Sequence, residues 1–237
     1  SFQTAAGLDA LLARIVAGSS LRVDASGMSA AQRAAVAASI GAGTGITQLT
    51  LDHEDSAATI GLLLSRSGLG FASVALDGMD RAQIAAVNAH PAAVASISGT
   101  LVRVIRGAQS NTVWHDRFVD SAVAAASAGD RVEVAAGQYT LESPLALAGI
   151  VLAGAGATET VLDGSALAAE AVAVASGSGA RLSGVRLHAT SRPQGSASGG
   201  LRAGTGCSGL VVDDCGFGGR GASAIVLDGA TDATVAR

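Results

Sequence analysis

Three successive stretches near the end of the chain set the reading of the fold: AVAVASGSGARLSGVRL over 171–187, LRAGTGCSGLVVDDCGF over 201–217 and AIVLDGATDATVAR over 224–237. Each is an apolar strand, a turn rich in small residues, and a second apolar strand. Short alternating segments punctuated by glycine at regular spacing predict stacked tiers of parallel strands, rung upon rung of a right-handed parallel β-helix. The spacings agree: Leu182, Leu210 and Ala233 mark successive rungs, and the longer first step holds the segment SRPQGSASGG, which must loop out. A rung with nothing beyond it exposes unpaired backbone groups. The pattern still running at Arg237 therefore predicts a piece of a longer protein.

Working back toward the start, the first hundred residues carry an internal duplication. Val23, Gly27, Met28, Ala31, Gln32, Ala34, Ala35, Val36 and Ile46 recur as Val74, Gly78, Met79, Ala82, Gln83, Ala85, Ala86, Val87 and Ile97. Helices are predicted at 8–16, 29–40, 57–65 and 80–89, and strands around Val23, Leu49, Val74 and over 97–105. Ser29, Asp80 and Asp55 or Ser56 stand where helix N-caps belong. Gly18, Gly43, Gly45 and Gly68 punctuate the returns to strand. The expected architecture is an α/β repeat solenoid with helix-strand units of about 25 residues over 1–106. It runs into the β-helix over 107–237, and one continuous parallel sheet would result.

Two resemblances bear on this reading. The run Val113 to Tyr139, with VWHDRFVDSAVAAASA, Gly129-Asp130, Val132 and Val134, and then Gly137-Gln138-Tyr139, resembles the entry of pectate-lyase-like β-helix proteins, and IVLAGAGATETVLDG over 150–164 resembles their second rung. The resemblance implies an N-terminal capping helix over the first rung, and it identifies a fold that hosts many functions. The Ala-rich repeats of the first hundred residues look like those of very large secreted bacterial surface proteins, which implies an extracellular or cell-surface location.

Composition excludes several classes. The net charge is −4, and the 15 basic residues are all Arg, scattered singly, so no basic nucleic-acid footprint exists. No apolar run reaches the length of a membrane span. Aromatics are 3% of the chain, a poor supply for stacking sugars. Cys207 and Cys215 read as unpaired, too far apart for a disulfide along a straight strand.

Among chemistry-bearing residues, adjacent Asp213 and Asp214 before Cys215 are the sharpest candidates. Polygalacturonase-like glycosidases on this fold use an Asp pair as general acid and water activator. Here Val212 replaces the family's glycine, and the Asn-Thr-Asp and Gly-His-Gly companions are missing, so a polar corner between inward Val212 and Phe217 is the favoured reading. His188 and Arg186, with Arg202 and Arg220 on later rungs, could serve a lyase or epimerase as base and carboxylate anchor, although exposed Arg and His usually serve only solvation. Asp52, Glu54 and Asp55, flanking His53, form an acidic cluster able to offer oxygen ligands to calcium; the order matches no EF-hand loop, and a helix N-terminus attracts carboxylates without metal. No other cofactor is expected. His90 before Pro91 should end a helix, and Trp114 should pack as a cap rather than as a sugar platform.

The sequence thus points to a non-catalytic structural or adhesive segment of a large secreted or cell-surface bacterial protein. Its expected partners are downstream rungs, further copies of itself or a polysaccharide. The rivals are the N-terminal part of a polysaccharide-active lyase, epimerase or glycosidase, and a carbohydrate-binding module.

Overall fold

A computed structural model describes residues 21–39, 44–107, 111–188, 199–219 and 223–236. The expected first helix at 8–16, Gly18, Gly43, Arg220 and most of the 191–200 loop lie outside the described residues. The chain divides into two units, Ser1–Thr100 and Leu101–Arg237.

In the first unit strands and helices alternate: β1 (Leu21–Asp24), α1 (Ala30–Ser39), β2 (Thr44–Leu51), α2 (Ala57–Arg66), β3 (Ala72–Ala75), α3 (Arg81–Asn88), a 3₁₀ turn at Pro91–Ala93 and β4 (Val94–Ser98). The four strands form one parallel sheet in the order β1-β2-β3-β4. Each helix start is fixed by local hydrogen bonds. The Ser29 hydroxyl accepts from the Gln32 amide while Gln32 Oε1 accepts from the Ser29 amide. Asp80 and Gln83 repeat this capping box, and Ser56 accepts from the Thr59 amide. Such caps satisfy amides that the helix itself cannot, for about 1 kcal/mol each. Inward positions follow helical spacing, with Val36 on α1, Ile60, Leu63 and Leu64 on α2, and Ile84 and Val87 on α3, buried together with Val23, Ile46, Leu49, Leu51 and Val74 of the sheet.

The second unit begins with a hairpin. Strands β5 (Val102–Arg106) and β6 (Asn111–Asp116) are antiparallel, and β5 is also antiparallel to β7 (Arg131–Val134) on its other side. Helix α4 (Val119–Ala125) lies between β6 and β7 in the chain. From β7 onward consecutive strands are dealt in rotation to three sheets. The second sheet runs β19-β16-β13-β10-β7-β5-β6, the third β17-β14-β11-β8 and the fourth β18-β15-β12-β9. Their ranges are β8 (Gly137–Thr140), β9 (Leu145–Ala148), β10 (Val151–Ala153), β11 (Thr160–Asp163), β12 (Ala171–Ser176), β13 (Arg181–Ser183), β14 (Arg186–His188), β15 (Gly199–Ala203), β16 (Val211–Asp213), β17 (Gly216–Gly218), β18 (Ser223–Leu227) and β19 (Thr234–Val235).

Like residues stack because the pairing is parallel and in register. Leu152 pairs with Leu182, and Leu182 with Val212, all three essentially inaccessible. Burying a side chain of this size contributes about 1.5–3 kcal/mol. Two residues separate β13 from β14 and β16 from β17, whereas the connections from third to fourth sheet hold four, seven, ten and four residues in chain order.

The expected class is corrected. The described strands divide among four separate sheets, one of them mixed, with only four α-helices among the described residues. Neither a single α/β repeat solenoid nor a single right-handed parallel β-helix is indicated. The expected strand at 97–105 is two strands, β4 and β5, in different sheets, broken at Gly99, whose φ is +73°. A Cβ there would sit 2.5 Å from Asp77 Oδ2, so only glycine fits the break. The capping helix is also corrected. Thr112 and Trp114, β-branched and aromatic, pair with Ile105 and Val104 of β5 around a bulge at Val113, leaving a helix of 7 residues that starts only at Val119. Alternation of apolar residues reports burial and is blind to the direction of a partner strand, which is why the antiparallel pairs were not foreseen.

Candidate functional site

In the first unit the acidic cluster closes on a cation of the chain itself. Asp55 is 2% exposed, and its Oδ1 accepts from Arg33 Nε at 2.8 Å. Arg33, 4% exposed, donates also to the Met28 carbonyl at 2.6 Å and to Asp52 Oδ1 at 3.4 Å. Gln83 of α3 binds the loop from the other side, donating to the carbonyls of His53 and Asp55. Glu54 stays exposed and contributes its amide to Asp52 Oδ1. The three candidate metal ligands are therefore brought close in the chain but not aimed at a common point. Among the described residues no group of three or more His, Cys, Asp or Glu side chains is placed to hold a metal ion.

The duplication held an unread signal here. Arg33 falls 51 positions before Ile84, so a guanidinium occupies the inward site that its repeat fills with isoleucine. A buried charge at an apolar repeat position requires a partner, and the acids at 52–55 supply it.

Three carboxylates hold the start of the second unit. Asp116, fully buried, accepts from the indole of Trp114 at 2.9 Å and from the amides of Arg117 and Phe118. Trp114 thus packs on a strand of the hairpin with its N–H satisfied. Asp120 of α4 accepts from the amides of Glu142 and Ser143. Asp130 accepts twice from Arg106 and once from the Ser127 amide. The Arg106 guanidinium beside Asp130 holds its carboxyl below the ordinary value of 3.8. A carboxyl depressed in the folded state contributes stability above its unfolded value, and that contribution is lost as pH falls through the folded value. Asp130→Asn is thus expected to flatten the loss of urea stability as pH falls below the ordinary carboxyl value of 3.8. An acid limb as steep as that of the parent chain would refute the assignment.

The Asp213-Asp214 pair is split by the turn it occupies. Asp213 ends β16 and its carboxylate binds Arg181 of β13 at 3.0 Å. Asp214 is exposed, with φ of 47°. By register it occupies the corner that Gly184 takes one tier earlier with φ of 61°. Its role is conformational, because aspartate tolerates the left-handed region better than most side chains. A second such column runs through Gly129, Gly149, Gly179, Gly209 and Asp232, every member at positive φ. The step of 30 positions from Gly149 to Gly179 to Gly209 is matched by Gly184 to Asp214, a signal legible in the sequence that marks Asp214 as a turn residue. Asp214→Gly is expected to leave stability unchanged or raise it, and Asp214→Ala to lower it by about 1 kcal/mol. Urea midpoints in the reverse order would show that the carboxylate, not the backbone, matters.

Cys207 is buried and Cys215 half-buried, and both are free thiols. Burial pushes both upward, Cys215 despite backbone hydrogen bonds at Val185 and Asp213 that act the other way. Between them the chain turns at Gly209 and Asp214 rather than running straight.

His188 and Arg186 share β14, pointing outward from the third sheet. His188 Nδ1 lies 3.3 Å from Asp163 Oδ1 on neighbouring β11. The Ser165 amide, more than His188, holds the Asp163 carboxyl below its usual range. Arg202 is not part of this group: it belongs to the fourth sheet and pairs with Glu170 and Asp228. His90 follows the end of α3 and precedes the Pro91 turn.

Comparison with family models, with curated proteins and with solved structures gave no match to this chain. No helix among the described residues is long and apolar enough to cross a membrane, which says nothing about β-barrel spans.

Proposed function

We propose that the chain is a non-catalytic structural segment of a large secreted or cell-surface bacterial protein, presenting a regular, ion-paired surface to further copies of itself or to a polysaccharide. The observation that carries this reading is the fate of the Asp213-Asp214 pair. One carboxylate is neutralised by Arg181 and the other serves a left-handed corner. Acid-base cleavage of a glycosidic bond needs two carboxyls facing one bond from opposite sides.

The outward charges of the second unit support the same reading. Arg103 and Arg131 both bind Glu133, Arg106 binds Asp130, Arg181 binds Asp213, and Arg202 binds Glu170 and Asp228. Each exposed pair contributes little to stability. Together they leave a neutralised, orderly surface. The extracellular setting rests on the likeness of the Ala-rich repeats to those of secreted surface proteins.

The test is to incubate the chain with polygalacturonate, pectate and alginate, with and without calcium. No turnover above buffer is expected. Turnover that disappears in Asp214→Asn would overturn the proposal in favour of an enzyme.

A further inference from the structure

One exposed arginine breaks the pattern of pairing. Arg103, Arg106, Arg131, Arg181 and Arg202 each meet a carboxylate, but Arg186 has no carboxylate partner among the described residues. Residues 189–198 and 220–222, which follow its strand and the next strand of its sheet, contain no Asp or Glu. An arginine whose neighbours are all matched, and which is itself unmatched, has donors available for an anion from outside.

Its surroundings favour such a ligand. The third sheet presents two outward columns, Gln138-Val161-Arg186-Gly216 and Thr140-Asp163-His188-Gly218. The Arg186 side chain lies across the two glycines. A Cβ built on Gly216 would stand 3.2 Å from Arg186 Cγ, and one on Gly218 would stand 3.6 Å from Arg186 Nε, 3.8 Å from Nη2 and 3.5 Å from His188 Cδ2. The guanidinium and the imidazole therefore flank one bare position. Asp163 engages His188 at Nδ1, which fixes the ring and leaves Nε2 directed elsewhere. Two nitrogen-bearing groups of fixed orientation thus border a floor of backbone with no side chain on it.

We infer that Arg186 and His188, over the Gly216-Gly218 floor, form a binding site for an oxyanion, a carboxylate or sulfate group of a small ligand. Arg186 supplies the charge and a two-pronged donor set. The His188 ring, held by Asp163 through Nδ1, walls the other side of the floor. The glycines let the anion approach the sheet. The inference stands apart from the structural role proposed above, since binding requires no turnover.

The experiment is an NMR titration of the whole chain with sodium acetate and, separately, sodium sulfate, at ionic strength held constant with chloride so that general screening does not vary. The Gly218 amide and the His188 ring protons are expected to shift and saturate. Arg186→Gln should weaken this binding roughly tenfold or more, the loss expected for a charge-assisted two-point contact. Gly218→Ala is sterically admissible, its Cβ contacts being of ordinary length. It should weaken binding while leaving the rest of the spectrum in place. Saturation by acetate alone identifies a planar carboxylate, and saturation by both anions an oxyanion in general. Absence of saturation by either, or saturation unchanged in Arg186→Gln, would overturn the inference.

Discussion

Asp55→Ala is expected to lower the stability of the first unit by about 3 kcal/mol, because it removes the buried carboxylate from Arg33 Nε and leaves the buried guanidinium only the longer contact to part-exposed Asp52 and the Met28 carbonyl. The loss should appear as a lower urea midpoint and as faster hydrogen exchange in α1 and β2. Restoration distinguishes a stranded charge from lost packing. Arg33→Met combined with Asp55→Leu removes both charges, and should recover most of the loss, since apolar pairs of similar volume replace buried ion pairs at little cost. If the double variant is as unstable as the single one, the loop depends on the carboxylate itself. The same geometry predicts that neither calcium nor a chelator moves the midpoint, because Asp55 is already occupied by Arg33. A calcium-dependent rise would restore the metal reading of Asp52, Glu54 and Asp55.

The second large effect lies where β16 stacks on β13. Val212→Asp places a carboxylate against Leu182 at a position 1% exposed, and should cost about 4 kcal/mol or more. Its neighbour Asp213→Ala removes only a half-exposed ion pair with Arg181, and should cost less than about 1 kcal/mol. The contrast between adjacent residues follows from the two-residue period of a strand. Equal urea midpoints for the two variants would mean that the inward and outward faces of β16 are reversed.

These residues also show how far the sequence could be read. Val212 as inward and Asp213 as outward follows from alternation alone, as do helices near Ala57–Arg66 and Arg81–Asn88 from period and caps. What escaped was long-range: no local pattern tells that β5 runs against β7, or that β4 and β5 part company at Gly99. The near-helical spacing of Val113, Phe118, Val119, Ala122 and Val123 favours a helix that includes Trp114, yet its strand partner Val104 decides the matter. At the candidate site, the acids at 52–55 were visible, whereas their partner Arg33 lies 22 positions before Asp55 and needed the duplication to be recognised. Asp214 was visible as a carboxylate, and only its φ shows that it does the work of a glycine.

The unequal connections between sheets bear on how such a gene can change. Between the second and third sheets, the corners at Gly184-Val185 and Asp214-Cys215 hold only two residues, while the connection from β10 to β11 holds six with β11 still in register with β8 and β14. Between the third and fourth sheets the connections already range from four to ten residues while the paired strands keep their register. Insertions and deletions should therefore accumulate in the longer connections of the second unit and be purged from its two-residue corners. Foreign peptides spliced between Gly218 and Ser223 would be displayed there without loss of the scaffold.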